Sequence, residues 1–268
     1  MRSVDATDYQ QVRQPVALMA KDFPAGVSTD RHSHPRLQFL YAVRGLMTAV
    51  TDAGGWLVPE GHALLIPAGV MHSVTMHGPV AMRTAYLSGD ALAGPVGDCR
   101  VVRVPPLLDM LIRALGEEPV DYDLRGRGGH LAALIADEIA RAPVARLALP
   151  MPRDRRLHAL CQSVAANPGA RVPLDTLAET AGMSRRSLTR RFRGETGMSF
   201  GDWCGRARLT AAFERLARGE SLSAVARQLG YGNVRSLQAM LHRRAVPGVQ
   251  ARYGAGRGGG CPERAANC

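Results

Sequence analysis

Two hydrophobic patterns divide the chain near its middle. Between residues 15 and 87, short apolar runs with the alternation of β-strands are separated by turn signals rich in Gly and Pro. From Pro105 onward, apolar residues recur every three to four positions, a spacing that predicts amphipathic helices. The predicted fold class is therefore α+β and multidomain, with a β-rich half followed by an all-α half.

The β-rich half contains seven strand-like runs. They are PVALMAKDF (15–23), RLQFLYAVRG (36–45), LMTAV (46–50), GWLVP (55–59), ALLIP (63–67), HSVTM (72–76) and AMRTAYL (81–87). Gly45, Gly54 and Gly78 are among the turn signals between them. Short strands at close spacing with glycine turns are typical of a small barrel or sandwich.

Four polar residues in this half have a spacing that suits a metal site. His32, His34 and Gln38 share strand parity, so one extended strand would direct all three to the same side. His72 comes from a later strand, and imidazole ligands suit Zn, Ni, Co, Fe or Cu. The alternative is that the histidines only hydrogen-bond inside a polar pocket.

The spacing around these residues resembles the two cupin motifs. The first runs through Gly26, His32, His34, Gln38 and Gly45, and the second through Gly61, Pro67, Gly69 and His72. The resemblance covers residues 15–90 and implies a small β-barrel whose mouth holds a divalent metal ion (Zn, Ni, Co or Fe) or an organic effector. Gln38 stands where cupins usually have Glu, which would weaken metal binding. We interpret His62 and His77 as surface residues or as surroundings of the site.

Both faces of the strand around Gln38 are apolar, which predicts a cover on the outer face. Leu40 and Ala42 would face inward, and Phe39 and Tyr41 outward. Helices are predicted at 105–118 and 126–143, and they could pack on the barrel or pair with a partner chain. A second subunit is an alternative cover, and we expect a homodimer. The proline-rich segment 145–154 is the predicted linker.

One stretch of the helical half predicts a helix-turn-helix unit. In LDTLAETAGMSRRSLTRRFRGETG (174–197), Asp175 can cap the first helix and Ser184 the second, with a glycine turn between them. Leu188 and Phe192 would face back onto the first helix. The polar face would then present Arg185, Arg186, Thr189, Arg190 and Arg193 to a DNA major groove. A solvated helix in an ordinary helical domain is the alternative.

The same pattern occurs a second time. Val225, Ala226 and Leu229 follow Leu177, Ala178 and Ala181 by 48 residues, and after one inserted residue Leu237 and Leu241 follow Leu188 and Phe192 by 49. The intervening stretch 202–217 predicts a spacer helix about 24 Å long at about 1.5 Å per residue. Two recognition helices on such a spacer can enter successive major grooves, about 34 Å apart. The repeat makes an ordinary solvated helix much less plausible.

Residues 153–253 resemble the AraC-type DNA-binding domain of bacterial regulators. The resemblance is carried by Leu177, Ala178, Gly182, Met183, Ser184, Leu188, Arg190, Phe192, Gly197, Arg208, Leu209, Ala226, Leu229, Gly230, Tyr231, Arg243 and Arg244. A cupin-like half followed by this domain also resembles the single-chain AraC-type sensors, particularly those with an HSHPR motif (32–36) before an apolar strand. It implies a transcription factor whose barrel senses a signal.

The departures from that family fall in the second unit. Leu237 and Leu241 stand where the family usually has Phe, and its closing Gly-x-x-Pro is scrambled in AVPGVQARYG (245–254). The second unit therefore either reads bases or only holds phosphates. The expected DNA-binding residues are Ser184, Arg185, Arg186, Thr189, Arg190 and Arg193 in the first unit, and Asn233, Arg235 and Gln238 in the second.

Composition agrees with a polyanionic partner. The 268 residues have a formal charge of +11, and Lys21 is the only lysine, so nearly all positive charge is arginine. A GC-rich genome would produce the same bias toward arginine. Aromatic residues make up 5% of the chain, too few for the stacking platform of a nonspecific nucleic-acid coat.

Other features of the composition predict a cytoplasmic protein. No apolar run approaches the ~20 residues of a membrane span, and the polar start has no secretory core. Five scattered cysteines without a CxxC pair predict reduced thiols. They are Cys99, Cys161, Cys204, Cys261 and Cys268.

We predict a sequence-specific transcriptional regulator and not an enzyme. Its predicted regions are a cupin-like sensor barrel (1–100), a helical connector with dimerisation helices and linker (101–150), an AraC-type DNA-binding domain (151–253) and a disordered tail (254–268). Expected partners are double-stranded DNA, a small-molecule or metal effector, a second copy and RNA polymerase. The alternative is a metal-dependent cupin oxygenase or isomerase with His32, His34 and His72 as ligands, although no clear general base lies near the motifs.

Overall fold

The computed structural model describes residues 3–92, 94 and 96–244. Within them a β-rich half precedes a helical half, which confirms the α+β class. The tail predicted at 254–268 and the scrambled segment 245–254 lie outside the described residues, as do Cys261 and Cys268. Cys99, Cys161 and Cys204 are free thiols, as predicted.

The β-rich half forms one antiparallel sheet. Its strands are β1 (Val16–Phe23), β2 (Leu37–Thr51), β3 (Gly54–Pro59), β4 (His62–Ile66), β5 (His72–Leu87), β6 (Arg100–Arg103) and β7 (Ala148–Pro150). Pairing follows the order β1-β5-β2-β3-β7, and β4 pairs with both β2 and β6. In the part of the chain that the structure describes, β1 and β7 do not pair with each other. The sheet is therefore not closed, which corrects the expectation of a closed barrel.

Two of the predicted turns lie inside continuous strands, so the seven runs form five strands. β2 continues through Gly45, and β5 continues through Gly78. The register of β2 against β5 shifts between Ala42 and Leu46, and Gly45 has a φ of 94° there. A left-handed glycine inside a strand pair makes a β-bulge, where it costs little because it has no Cβ. The sequence pattern did not predict β6, nor β7, which lies in the predicted linker.

Two helices of the same chain cover the outer face of the sheet. They are α1 (Pro106–Glu117) and α2 (Arg127–Arg141). Phe39 and Tyr41 pack there in one core cluster with Leu108, Ile112 and Ile135. The cover predicted for β2 is therefore intramolecular and is not a second subunit.

The apolar stripes of α1 and α2 differ in part from the prediction. The helical spacing of apolar residues places Leu107 on the same predicted stripe as Leu108 and Leu111, and Leu134 with Leu131 and Ile135. Leu107 and Leu134 are nevertheless 53% and 51% exposed. Met110, one helical turn after Leu107 in α1, is 67% exposed. The helices present more apolar surface to solvent than their packing on the sheet requires.

The helical half contains the two predicted helix-turn-helix units. Its helices are α3 (Arg155–Ala166), α4 (Leu174–Thr180), α5 (Arg185–Thr196), α6 (Phe200–Ala217), α7 (Leu222–Gln228) and α8 (Val234–Arg244). The α4/α5 and α7/α8 pairs are joined by α6, and their turns hold Gly182 and Gly230 at φ of 60° and 72°. None of the helices in the described ranges is long and apolar enough to span a membrane.

Contacts of α6 with β7 join the two halves. The indole Nε1 of Trp203 donates to the Pro150 carbonyl at 2.7 Å, and Arg206 donates to the Ala148 carbonyl at 3.0 Å. Trp203 is fully buried between α6 and the first unit, so the β7 segment is anchored in the core of the DNA-binding half.

Candidate functional site

Three histidines converge on one side of the sheet. His32 and His72 form an isolated antiparallel bridge, and the amide of each donates to the carbonyl of the other at 2.9 and 2.8 Å. His34 follows two residues later, and its carbonyl accepts the Gly69 amide at 2.8 Å. One nitrogen of each ring lies within 4.8 Å of the other two. This geometry can surround a single metal ion.

The strand assumed for these residues is only partly correct. His32 and His34 lie in an extended segment before β2, and a bend at 35–36 separates them from Gln38, which lies inside β2. The side chains nevertheless meet, because Gln38, His32 and His34 line the same cavity. His72 begins β5 and brings its ring to the cluster through the bridge to His32.

Backbone carbonyls hold two of the rings through Nδ1. The Asp30 carbonyl lies 2.7 Å from Nδ1 of His32, and the Val70 carbonyl lies 2.9 Å from Nδ1 of His72. A carbonyl can only accept a hydrogen bond, so Nδ1 carries the proton and Nε2 keeps its lone pair. Metal-binding histidines are commonly oriented in this way.

Burial keeps His34 and His72 uncharged. Burial lowers the pKa of His34 to about 4, and its neighbours His32 and His72 lower it further. Burial also lowers the pKa of His72, and the hydrogen bond to the Val70 carbonyl opposes this shift. Neutral imidazole is the form that binds metals, so these two rings release no proton on binding at pH 7.

Three buried polar atoms of this cluster have no hydrogen-bond partner within the described residues. They are Nε2 of His34, Nε2 of His72 and Oε1 of Gln38. Leaving a buried donor or acceptor unpaired costs about 1–3 kcal/mol, and native proteins do so rarely. Because these atoms lie close together, one bound ion or polar ligand could supply the partner that each of them lacks.

A cavity of about 450 Å³ opens beside the histidines, a size that suits a small organic molecule. Its lining includes Met19, Lys21, Phe23, Leu40, Val74, Met76, Met82 and Tyr86. Sequence motifs missed Lys21 and Tyr86. Strand pairing is the signal that could have found Tyr86, because it lies directly opposite Gln38 across β2 and β5.

His62 and His77, interpreted as surface or surrounding residues, are both buried. His62 is 1% exposed and His77 is 9% exposed. Neither belongs to the cluster of metal-ligating groups found in the described residues. His77 instead lies beside Thr48, with 2.8 Å between Nε2 and the hydroxyl oxygen.

The exposed face of α5 is the candidate nucleic-acid interface. Arg186, Arg190 and Arg193 are exposed and follow one another at helical spacing. Leu188 and Phe192 on the opposite face are completely buried. The helix thus joins an apolar packing face to a row of guanidinium groups.

Some predicted contact residues of the first unit have structural partners. Ser184 caps α5, as predicted, by accepting the Ser187 amide at 3.2 Å. The Thr189 hydroxyl donates to the Arg185 carbonyl at 2.9 Å. Arg185 forms an exposed ion pair with Asp175 at 3.2 Å. The prediction that Asp175 caps α4 is wrong. The N-cap position is occupied by Pro173, and no side chain forms a capping hydrogen bond there.

The predicted residues of the second unit differ from one another in their surroundings. Asn233 is exposed, and its Oδ1 accepts the Ser236 amide at 2.9 Å, so it caps α8. Arg235 is exposed and Gln238 is half-buried. Among the predicted contact residues, the second unit therefore presents one exposed arginine where the first presents four.

Family comparisons agree with both halves of this description. Residues 177–245 match the family model of a helix-turn-helix domain, and residues 20–140 match that of an AraC-like ligand binding domain. The chain belongs to the AraC-type transcriptional regulators. The predicted function class, a DNA-binding regulator with a ligand-binding domain, is confirmed for this AraC-type protein.

Individual relatives of this AraC-type regulator span different parts of it. It is 26% identical over 249 residues to the HTH-type transcriptional regulator NimR of Escherichia coli, covering 91% of this chain and 90% of NimR. It is 34% identical over 110 residues to the HTH-type transcriptional regulator RipA of Corynebacterium glutamicum, a match that covers 41% of this chain and 33% of RipA. Among solved structures it is similar to the AraC-like transcriptional activator CuxR, with 15% identity and a TM-score of 0.38. The match covers 75% of this chain and 78% of CuxR.

Proposed function

We propose that the sensor half of this regulator binds one divalent metal ion (Zn, Ni, Co or Fe), and that the bound ion changes promoter binding. The observation that carries the proposal is the set of unpartnered atoms on His34, His72 and Gln38. His32, with Nδ1 held by a carbonyl, supplies the third imidazole. An organic effector in the adjoining cavity, with the histidines as hydrogen-bonding groups, is the alternative.

The residues present fit a metal ion. Three neutral imidazoles and one amide oxygen leave the full double charge of the ion uncompensated, so binding is weaker than at a site with a carboxylate. When bound, the ion supplies a Lewis-acidic centre that attracts an anionic group of a molecule in the cavity. His32, His34 and His72 orient that centre, and Lys21 adds a positive charge to the cavity wall.

The effector controls DNA binding only if it prefers one arrangement of the two halves. We infer that the first helix-turn-helix unit reads bases through Arg186, Arg190 and Arg193. Ser184, Arg185 and Thr189 set the start of α5 and add phosphate contacts. In the second unit, Asn233, Arg235 and Gln238 are the proposed contacts, with Arg235 directed to phosphate.

We further infer that the protein has no catalytic role. Among the described residues that line the cavity, Asp5 is the single carboxylate. Its Oδ1 accepts the Thr7 amide at 2.9 Å as a helix cap. A carboxylate used in this way is a poor general base, which disfavours the oxygenase or isomerase alternative.

The remaining parts of the account are proposals about assembly and location. Exposed apolar side chains on α1 and α2 support a homodimer, with Leu107, Met110 and Leu134 as contributors. The packing of both helices on the sheet supports treating residues 1–100 and the connector 101–150 as one sensor body before the DNA-binding domain at 151–253. We propose a cytoplasmic protein with RNA polymerase as a further partner.

Zinc titration of metal-free protein by calorimetry tests the metal assignment. We expect one zinc ion per chain, and in His34→Ala an affinity lower by about 10–100-fold or more. His130→Ala, which removes an exposed histidine of α2, is the matched control and should bind zinc as the unmodified protein does. Equal zinc affinity in His34→Ala and the unmodified protein would contradict the assignment.

A further inference from the structure

One face of α6 lies against the sensor sheet and belongs to no part of the site described above. This docking face consists of Ala207, Thr210, Ala211, Glu214 and Ala217, which recur at helical spacing. Four of these residues line one cavity with residues of β2 and β3, and the fifth meets β5. The sensor therefore contacts the helix that separates the two DNA-binding units.

One close approach lies between Gly78 of β5 and the last turn of α6. A Cβ added to Gly78 would lie 2.8 Å from the carbonyl oxygen of Ala217, and the Gly78 backbone has a φ of +84°. Both the space and the backbone conformation at this point therefore require glycine. The contact joins backbone to backbone, so any movement of β5 here acts directly on α6.

A polar contact next to it is weak. Nε2 of His77 lies 3.7 Å from Oε1 of Glu214, within ion-pair distance. Burial, however, lowers the pKa of His77 to about 4, and burial raises the pKa of Glu214, so both groups are driven toward their neutral forms. At neutral pH the histidine is therefore uncharged. This pair adds little attraction between the two halves.

The docking face is also loosely packed. A cavity of about 200 Å³ separates it from the strands and is lined by Thr48, Val50 and Trp56 among others. Val50 is 56% exposed at this edge. Stable cores contain few voids larger than one water molecule, whereas loosely packed contacts between domains permit relative motion.

The docking face is connected to the histidine cluster by a single strand. β5 begins at His72 and reaches Gly78 six residues later, about 20 Å at about 3.3 Å per residue. The segment 27–29, which precedes His32, is hydrogen-bonded to this same part of β5. The Thr29 amide donates to the Val74 carbonyl at 2.9 Å, and the Met76 amide donates to the Val27 carbonyl at 2.8 Å. An ion that draws the three rings together therefore acts on both partners of this pairing.

Resting on the proposed function of the cluster, we propose that the docking face is a reversible contact through which occupancy of the cluster sets the orientation of the DNA-binding half. Because α6 separates the two units, a contact on α6 orients both at once. Arg186 and Arg190 stay exposed while α6 is docked. Docking thus acts on orientation and does not cover the candidate DNA surface.

Hydrogen exchange of two matched glycine variants tests docking. In Gly78→Ala, the added methyl group collides with α6, so we expect faster exchange both in 207–217 and in the facing strand residues 46–58. Gly61→Ala is the control, because Gly61 has a similar φ of +75° but nothing within 4 Å of an added Cβ. Ala211→Arg places the substitution on α6 and leaves the sensor sequence unchanged. It should produce the same faster exchange in 207–217 and 46–58 as Gly78→Ala.

Zinc tests the coupling in the same proteins. We expect zinc to change hydrogen exchange in residues 207–217 of the unmodified full chain. In Gly78→Ala we expect zinc still to bind, as calorimetry will check, but to cause no further change in the exchange of 207–217. Unchanged exchange in both Gly78→Ala and Ala211→Arg would overturn docking, and bound zinc without any effect on 207–217 would overturn coupling. Absence of zinc binding would overturn the metal assignment and its coupling, while the glycine comparison would still decide docking.

Discussion

The two helix-turn-helix units share a backbone design and differ in chemistry. Both turns contain a left-handed glycine, and both second helices begin at a side-chain cap, Ser184 in one and Asn233 in the other. The first unit is packed with aromatic rings, since Phe192 meets Phe200 edge-on at 5.1 Å. The second uses Leu237 and Leu241, both buried.

The difference extends to the exposed faces. On α5, Arg186, Arg190 and Arg193 form a row of exposed cations. On α8 the exposed Arg235 and Arg243 lie near opposite ends, with a half-buried Gln238 between them. A repeated backbone therefore preserves the position of a helix without preserving what that helix can recognise. We expect the first unit to supply most of the base discrimination and the second to position the protein on phosphate.

The largest effect should come from the aromatic core of the first unit. Phe192→Ala should lower the free energy of unfolding by about 3–5 kcal/mol, because it leaves a cavity among buried rings. Phe192→Leu gives this position the residue type of the second unit and should recover most of that loss. Chemical denaturation followed by circular dichroism measures both. A loss of similar size in the two variants would mean that the aromatic core is essential and that the two units are not interchangeable designs.

Base discrimination should depend on Arg190. Arg190→Ala should weaken binding to the specific site by about 1–3 kcal/mol if the guanidinium contacts a base. Arg191→Ala is the matched control on the same helix, because Arg191 pairs with Asp154 at 3.2 Å, away from the candidate surface. Fluorescence anisotropy on specific and scrambled duplexes gives both affinities. An unchanged isotherm for Arg190→Ala would remove this residue from the interface.

The helix caps should matter less and about equally. Ser184→Ala and Asn233→Ala should each destabilise the protein by about 1 kcal/mol, since each leaves an amide at a helix start without its acceptor. Asn233→Gly should cost only a few tenths of a kcal/mol, because glycine is tolerated at this position. Thermal unfolding compares the three variants. A much larger loss of DNA affinity than of stability in Asn233→Ala would show that Asn233 contacts DNA as well.

Salt dependence should reveal the smallest difference. Arg235→Ala should weaken binding almost equally on all sequences and reduce the slope of log affinity against log salt by about 1, as expected for a phosphate contact. Isotherms at several salt concentrations on specific and scrambled DNA measure this. A loss confined to the specific site would assign base reading to the second unit.

Local patterns predicted what depends on local physics. The spacing of Leu188 and Phe192 fixes the buried face of α5, and the Ser184 cap sets its start, so this unit could be predicted closely. Gly45 was misinterpreted because the same left-handed conformation serves a turn or a bulge. Only the partner strand decides which of these forms.

Residues whose role depends on distant segments could not be predicted. His77 is buried because α6 packs on β5, and its neighbour Glu214 is 137 positions away in the chain. The outer face of β2 showed that a cover was needed, yet nothing local distinguished α1 and α2 from a second subunit. The histidine cluster was predicted in its members but not in its supporting strand, since the bend at 35–36 carries no apolar signal.

The central claim is that the histidine cluster and the two DNA-binding units act on one another. The most direct measurement is a binding isotherm on the DNA immediately upstream of the gene for this protein, with zinc and with a chelator. We predict tight, competitor-resistant binding whose affinity changes between the two conditions, and no such change in His34→Ala. Tight binding that is indifferent to the chelator in a protein shown to hold zinc would contradict the claim.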